Sequence, residues 1–217
     1  MGKTIIGKCA VLCTAIGFIT LLIAFTTPNW IETDGTLERP KLVKIGLWQV
    51  CFQGPQDMKH FFESTRSYGC FWVFEDLYYD IFETFNIKMP SSFIAAQFFF
   101  TLSMTLLFIS GGLATLFTCC SQHHNKYQLL LQATGSILLL AGVCEMIAIK
   151  IFVTEDKAYY WLPDWEHNVL SWSFILAAIS CVFTTFSGVL FFADARRHRI
   201  TLIQIIQQRH YTPSTTI

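Results

Sequence analysis

The residues of this chain that could do chemistry are its cysteines, its histidines and one acid inside an apolar run, and their spacing decides which chemistry. Cys51 and Cys70 lie in a polar and aromatic stretch. A pair of thiols in an oxidising compartment most simply forms a disulfide. Closing a loop of that size is worth about 3 kcal/mol in the chain-entropy picture. Cys119 and Cys120 stand just ahead of His123 and His124. These are zinc-ligand residue types, but the group is crowded and lacks zinc-ligand spacing, so no metal is expected. If they sit beside a membrane, Cys119 and Cys120 are candidates for palmitoylation; otherwise they are two small apolar residues. Glu145 interrupts an apolar run, where an acid is a functional candidate by default. No nucleotide loop, Gly-x-Ser-x-Gly elbow or His-Glu-x-x-His helix is present, and each of those has a mechanical requirement for its spacing. No catalytic residue and no cofactor is therefore expected, and the chain reads as non-enzymatic.

The elements that position these residues follow from composition. The chain has 217 residues, 53% hydrophobic and 14% charged, with zero formal net charge and a mean hydropathy of +0.46. Soluble domains carry about 25% charged residues. The missing charge is missing from particular stretches, which is the pattern of a membrane protein. Zero net charge gives no basis for a nucleic-acid partner. A spanning helix needs about 20 apolar residues, and four stretches supply them, at about 9–29, 92–119, 127–149 and 169–193. Lys3 and Lys8 ahead of the first run resemble a signal peptide, but no small-x-small cleavage site follows, and the run reads as a retained span. Trp30, Trp161, Trp165 and Trp172 fall near span ends, where amphipathic rings favour the interface.

Positive charge in short flanks faces the cytoplasm. Lys3 and Lys8, then Lys126, then Arg196, Arg197 and Arg199 all fall on one side of a four-span chain. Both termini are therefore expected inside, with a cytoplasmic tail over 194–217. The outer loops, about 30–91 and 150–168, are both net acidic. Glu145 then lies about a turn from the outer end of the third span, within reach of the interface or of Lys150. Cys9, Cys13, Cys144 and Cys181 read as packing residues, as do Gly111, Gly112, Ala114, Gly135 and Gly142, since small residues let helices approach closely. In the long loop, Lys41 to Phe52 reads as one strand and the segment around Cys70 as another, which a disulfide would pin side by side. From Glu75 to Ile87 the apolar residues recur at helical spacing. The terminal Thr215-Thr216-Ile217 fits the ligand pattern of PDZ domains, which add such a peptide as a strand and capture its carboxylate.

Trp30, Gly46-Leu47-Trp48, Cys51 and Cys70, all in the loop after a first span, resemble the first-loop signature of the superfamily of claudins, peripheral myelin protein and the epithelial membrane proteins. The resemblance implies one claudin-like domain over residues 1–217: a left-handed four-helix transmembrane bundle, otherwise all-α, topped by a small extracellular antiparallel sheet. Trp30 and Gly46-Leu47-Trp48 would seat that sheet on the bundle mouth. It further implies a structural protein of a lateral cell–cell junction, meeting like or related junction proteins in the same or the opposing membrane, with a cytoplasmic PDZ scaffold as a further partner. The gap between Cys51 and Cys70 is about twice that usual in vertebrate claudins, which resembles invertebrate septate-junction members such as the insect Pasiflora-like proteins. The acids Asp57, Glu63, Glu75, Asp76 and Asp80 would favour cations in any paracellular path. An auxiliary channel or receptor subunit, like the calcium-channel gamma proteins that share this signature, is the alternative.

Overall fold

The computed structural model describes residues 4–37, 42–53, 68–75, 89–119, 126–154, 162 and 165–211. Among the described residues four helices are long and apolar enough to cross a membrane: α1 (Ile5–Thr26), α2 (Ser91–Cys119), α3 (Tyr127–Thr154) and α4 (Trp172–Tyr211). Five short strands form one sheet: β1 (Ile31–Thr33), β2 (Leu42–Ile45), β3 (Gln49–Gln53), β4 (Tyr68–Trp72) and β5 (Asn168–Leu170). The expected helix after Glu75, Trp161, Cys120, His123, His124, the acids Asp57, Glu63, Asp76 and Asp80, and Thr215-Thr216-Ile217 lie outside the described residues.

Local chemistry sets the helix ends. Thr4 caps α1, its hydroxyl accepting from the Gly7 N–H at 3.0 Å, which satisfies one of the orphan donors of a first turn. At the other end Pro28 follows Thr27, and a residue before proline is pushed out of the helical region; Thr27 is extended, with φ −93° and ψ 143°. Pro90 immediately precedes α2 and its carbonyl accepts from Phe93 N–H at 3.1 Å.

Around the bundle, α1 packs on α4, α4 on α3 and α3 on α2, while α1 and α2 meet along a much shorter seam. Small residues and hydroxyls set the close contacts. A Cβ at Gly17 would lie 2.8 Å from Thr184 Oγ1, and one at Gly188 would lie 2.9 Å from Leu139 Cγ. Ser180 Oγ donates to the Gly17 carbonyl at 2.9 Å and Ser187 Oγ to the Ala10 carbonyl at 2.7 Å. Hydroxyls satisfied across helices are the usual glue where lipid supplies no hydrophobic drive for association. Gly135 and Gly142 also sit against α4 as packing residues, but Gly111 and Gly112 have no atom of another helix within 4 Å of a would-be Cβ.

The sheet runs in the order β4-β3-β2-β1-β5, each pair antiparallel. Of the segment Lys41 to Phe52, expected as one strand, Leu42 to Phe52 is a hairpin: Ile45 pairs with Val50, and Gly46 N–H donates to the Gln49 carbonyl at 2.8 Å. The turn falls at Gly46 because that residue lies on the α1–β1 junction. A Cβ there would stand 2.5 Å from the Thr27 carbonyl oxygen and 2.6 Å from Pro28 Cα. Both are backbone atoms that cannot swing aside. Gly46→Ala should therefore destabilise the protein by about 1–3 kcal/mol, the usual cost of overpacking, read as a lowered unfolding temperature in detergent; an unchanged temperature would refute this contact.

Candidate interaction face at the sheet end of the bundle

Trp30 is the keystone between sheet and bundle. It is fully enclosed, not placed at a lipid interface as a tryptophan near a span end suggests. Its ring meets Phe100 of α2 at 4.9 Å, Phe152 of α3 at 5.1 Å and Phe174 of α4 at 5.9 Å, all edge-on, the geometry that ring quadrupoles favour. Its indole N–H donates to the Ala24 carbonyl of α1 at 2.7 Å. One side chain thus touches all four helices.

The Gly46-Leu47-Trp48 turn makes the second anchor. Leu47 is buried, and its carbonyl accepts from Gln97 Nε2 at 2.6 Å. Trp48 packs between Phe25 at 5.4 Å and Phe74 at 5.9 Å. Cys51 and Cys70 are directly opposite in the β3–β4 register and are joined by a disulfide, with Cα atoms 4.0 Å apart. The structure therefore gathers Trp30, Gly46, Leu47, Trp48, Cys51 and Cys70 into one cap. Gln97 was missed by sequence reasoning, although a lone amide near the start of an apolar span is a visible signal.

The second loop joins the same cap. β5 pairs with β1, Ile31 opposite Leu170. Ser171 Oγ donates to Glu32 Oε2 at 2.6 Å, and Asn29 donates to the other oxygen of the same carboxylate. Beyond β1, Asp34 is held at three points. Thr36 donates to its Oδ1 from the hydroxyl at 2.7 Å and from the backbone at 3.0 Å, and His167 Nδ1 lies 3.3 Å from Oδ2. These donors, the Thr36 hydroxyl foremost, hold the Asp34 carboxyl below its ordinary value. A depressed carboxylate stabilises the fold above its unfolded pKa and loses that stabilisation as pH falls through the folded one. With an unfolded value of about 3.9, the Asp34–Thr36–His167 tie should be intact from neutral pH down to that value and open only as pH falls further, through the lower folded one. Hydrogen exchange at Thr36 and Asp34, corrected for intrinsic rates, should show that acid opening, and Asp34→Asn should abolish its pH dependence; equal acid sensitivity in both proteins would refute it.

Inside the bundle, Glu145 corrects the expectation that it reaches the interface or Lys150. It is completely buried, and Ser103 Oγ of α2 donates to its Oε1 at 2.8 Å. The reason is that α3 continues to Thr154, which leaves Glu145 about 14 Å from the helix end at 1.5 Å per residue. Cys13, Cys144 and Cys181 are buried as packing residues, whereas Cys9 and Cys119 are exposed. Among the described residues no group of three His, Cys, Asp or Glu side chains could hold a metal.

The profile of the PMP-22/EMP/MP20/Claudin tight junction family matches residues 15–193, which takes in the whole cap, α2 and α3, the later part of α1 and the first part of α4. The chain belongs to this claudin family. Within the claudin frame, a bovine protein described as a voltage-dependent calcium channel gamma-1 subunit is 23% identical over 203 residues, covering 86% of this chain and 87% of that protein. This claudin-family chain is accordingly a membrane protein with four spans and a disulfide-bonded antiparallel cap.

Proposed function

We propose that this protein is a structural component of a lateral cell–cell junction, tight or septate, in which the sheet end faces the intercellular space and contributes to a paracellular barrier. The observation that carries the reading is the form of the cap. The α1–α2 and α3–α4 loops both contribute strands to one sheet anchored on the bundle through Trp30 and Leu47, and its two edge strands carry exposed apolar side chains. Trp72 is 45% exposed and Phe74 just beyond it 77% at the β4 side, and Val169 is 49% exposed on β5. Edge strands offer unpaired backbone groups to another chain, and exposed aromatics are the residue type that anchors protein interfaces. Like or related junction proteins in the same or the opposing membrane are the partners of that face. The family's description as a tight-junction family supports the same reading. On it, both termini are cytoplasmic, Cys119 and Cys120 are juxtamembrane acylation sites, and Thr215-Thr216-Ile217 engages a PDZ scaffold.

The test is to tag the tail ahead of Thr212, leaving Ile217 free, and to image a polarised epithelium. A lateral band at cell contacts, with loss of dye exclusion when the protein is depleted, is expected. Intact dye exclusion in depleted tissue would sink the barrier role. The second reading, an auxiliary subunit of a channel or receptor, rests on the near full-length likeness to the gamma-1 subunit. Co-purification of a large channel without enrichment at contacts would favour it.

A further inference from the structure

The short seam between α1 and α2 opens into a cavity of about 490 Å³ lined by Val11, Ala15 and Phe18 of α1 and by Phe108, Gly111 and Thr115 of α2. We propose that this slot seats one acyl chain of an anionic phospholipid in the leaflet opposite the sheet, with the headgroup held at Lys8.

The walls are chemically dry. Thr115 Oγ1 donates to the Gly112 carbonyl and Thr118 Oγ1 to that of Thr115, while Thr14 Oγ1 is satisfied by the Ala10 carbonyl and by Ser187 Oγ of α4, so each hydroxyl has its partner within the protein. An occupant gains nothing by carrying polar groups, and an aliphatic chain fits. The Gly111-Gly112 pair holds the space open: a Cβ at either position meets nothing within 4 Å. Glycine in a helix interior costs about 1 kcal/mol against alanine, and no helix packing here offsets that cost.

Length distinguishes a lipid chain from a docked helix. The slot is closed at its inner end by the edge-on pair Phe18–Phe108, with ring centroids 4.9 Å apart. From Lys8 to Phe18, and from Thr118 to Phe108, the helices rise about 15 Å at 1.5 Å per residue. That is half of a hydrocarbon core about 30 Å thick. A partner helix would run the full thickness and meet the aromatic barrier, whereas a chain from one leaflet ends there.

Charge fixes the headgroup. Lys8 is exposed and shares the face of α1 that carries Val11, Ala15 and Phe18, at the i+3, i+7 and i+10 spacing. Arg196, Arg197 and Arg199 are exposed on α4 at the same end. The one acid at that end among the described residues, Asp194, is 2% exposed and accepts from Thr4 at 2.6 Å. The surface offered to headgroups is cationic, which selects an anionic lipid.

Native mass spectrometry of the full chain, taken from micelles doped with equal phosphatidylglycerol and phosphatidylcholine, tests this. The wild-type protein should retain one phosphatidylglycerol. Gly111→Leu, which fills the slot without a backbone clash, should cut retention at least tenfold for both lipids. Lys8→Gln should reduce the preference for phosphatidylglycerol about fivefold while leaving phosphatidylcholine unchanged. Equal retention by wild type and Gly111→Leu would overturn the proposal, and so would a second copy or other protein lost from Gly111→Leu in place of lipid. Should Gly111→Leu fail to fold, phosphatidylglycerol with a diazirine near its chain terminus decides the matter on the wild-type protein. Labels concentrated on peptides around Phe18 and Phe108 are expected, and labels spread evenly over the lipid-facing surface of all four helices would refute the site.

Discussion

Trp30→Ala should lower stability by about 3–5 kcal/mol, the range for truncating a fully buried aromatic, and should do so by uncoupling the sheet from the bundle. The side chain is fully enclosed and contacts Phe100, Phe152 and Phe174 while donating to Ala24. Alanine removes the ring from the point where all four helices meet. Trp30→Phe keeps an aromatic ring but removes the indole donor, and a typical hydrogen bond is worth about 0.5–1.5 kcal/mol. Thermal unfolding in detergent should therefore rank wild type above Trp30→Phe above Trp30→Ala. A Trp30→Ala protein that unfolds with wild type would show that the sheet is held by other contacts.

Removing the disulfide should act on one strand. β4 is hydrogen-bonded to β3 alone among the described strands, and the Cys51–Cys70 bridge is its covalent tie to the rest of the cap. Closing that loop is worth about 3 kcal/mol, or roughly a hundredfold in the local opening equilibrium. In the double variant Cys51→Ser with Cys70→Ser, amides of β4 should exchange about a hundredfold faster. Those of β1 and β2 should change little, because Trp30 and Leu47 still fasten them to the helices. Uniform loss of protection across all five strands would show that the cap folds as a single unit and would refute this division.

Both results bear on function, since the exposed Trp72 and Phe74 lie at the end of β4 and just beyond it. Losing the disulfide would free that edge while leaving the bundle assembled. A junction role would then be impaired without loss of the protein from the membrane.

The four spans, their order and the cysteine pair were legible in the sequence, because each depends on local facts. A run of apolar residues long enough to cross a bilayer announces itself, and two cysteines outside the spans have few partners to choose from. The Gly46-Leu47-Trp48 signature was legible as a marker, but its role as a turn was not. Strand propensity runs through it unbroken, and only the approach of Thr27 and Pro28 shows why the chain must reverse at Gly46. In a membrane bundle the faces of a helix that meet lipid and those that meet another helix are both apolar, so periodicity says little about which face turns inward. Sequence alone therefore left Glu145 near the interface and assigned Gly111-Gly112 to helix packing. Distant partners decided otherwise: Ser103 on α2 draws Glu145 inside, and the short α1–α2 seam leaves the glycines facing open space. The fifth strand has the same origin. Val169 and Leu170 read as the start of the fourth span, but α4 begins at Trp172, and Asn168 to Leu170 becomes a strand because the bundle carries it to the edge of β1.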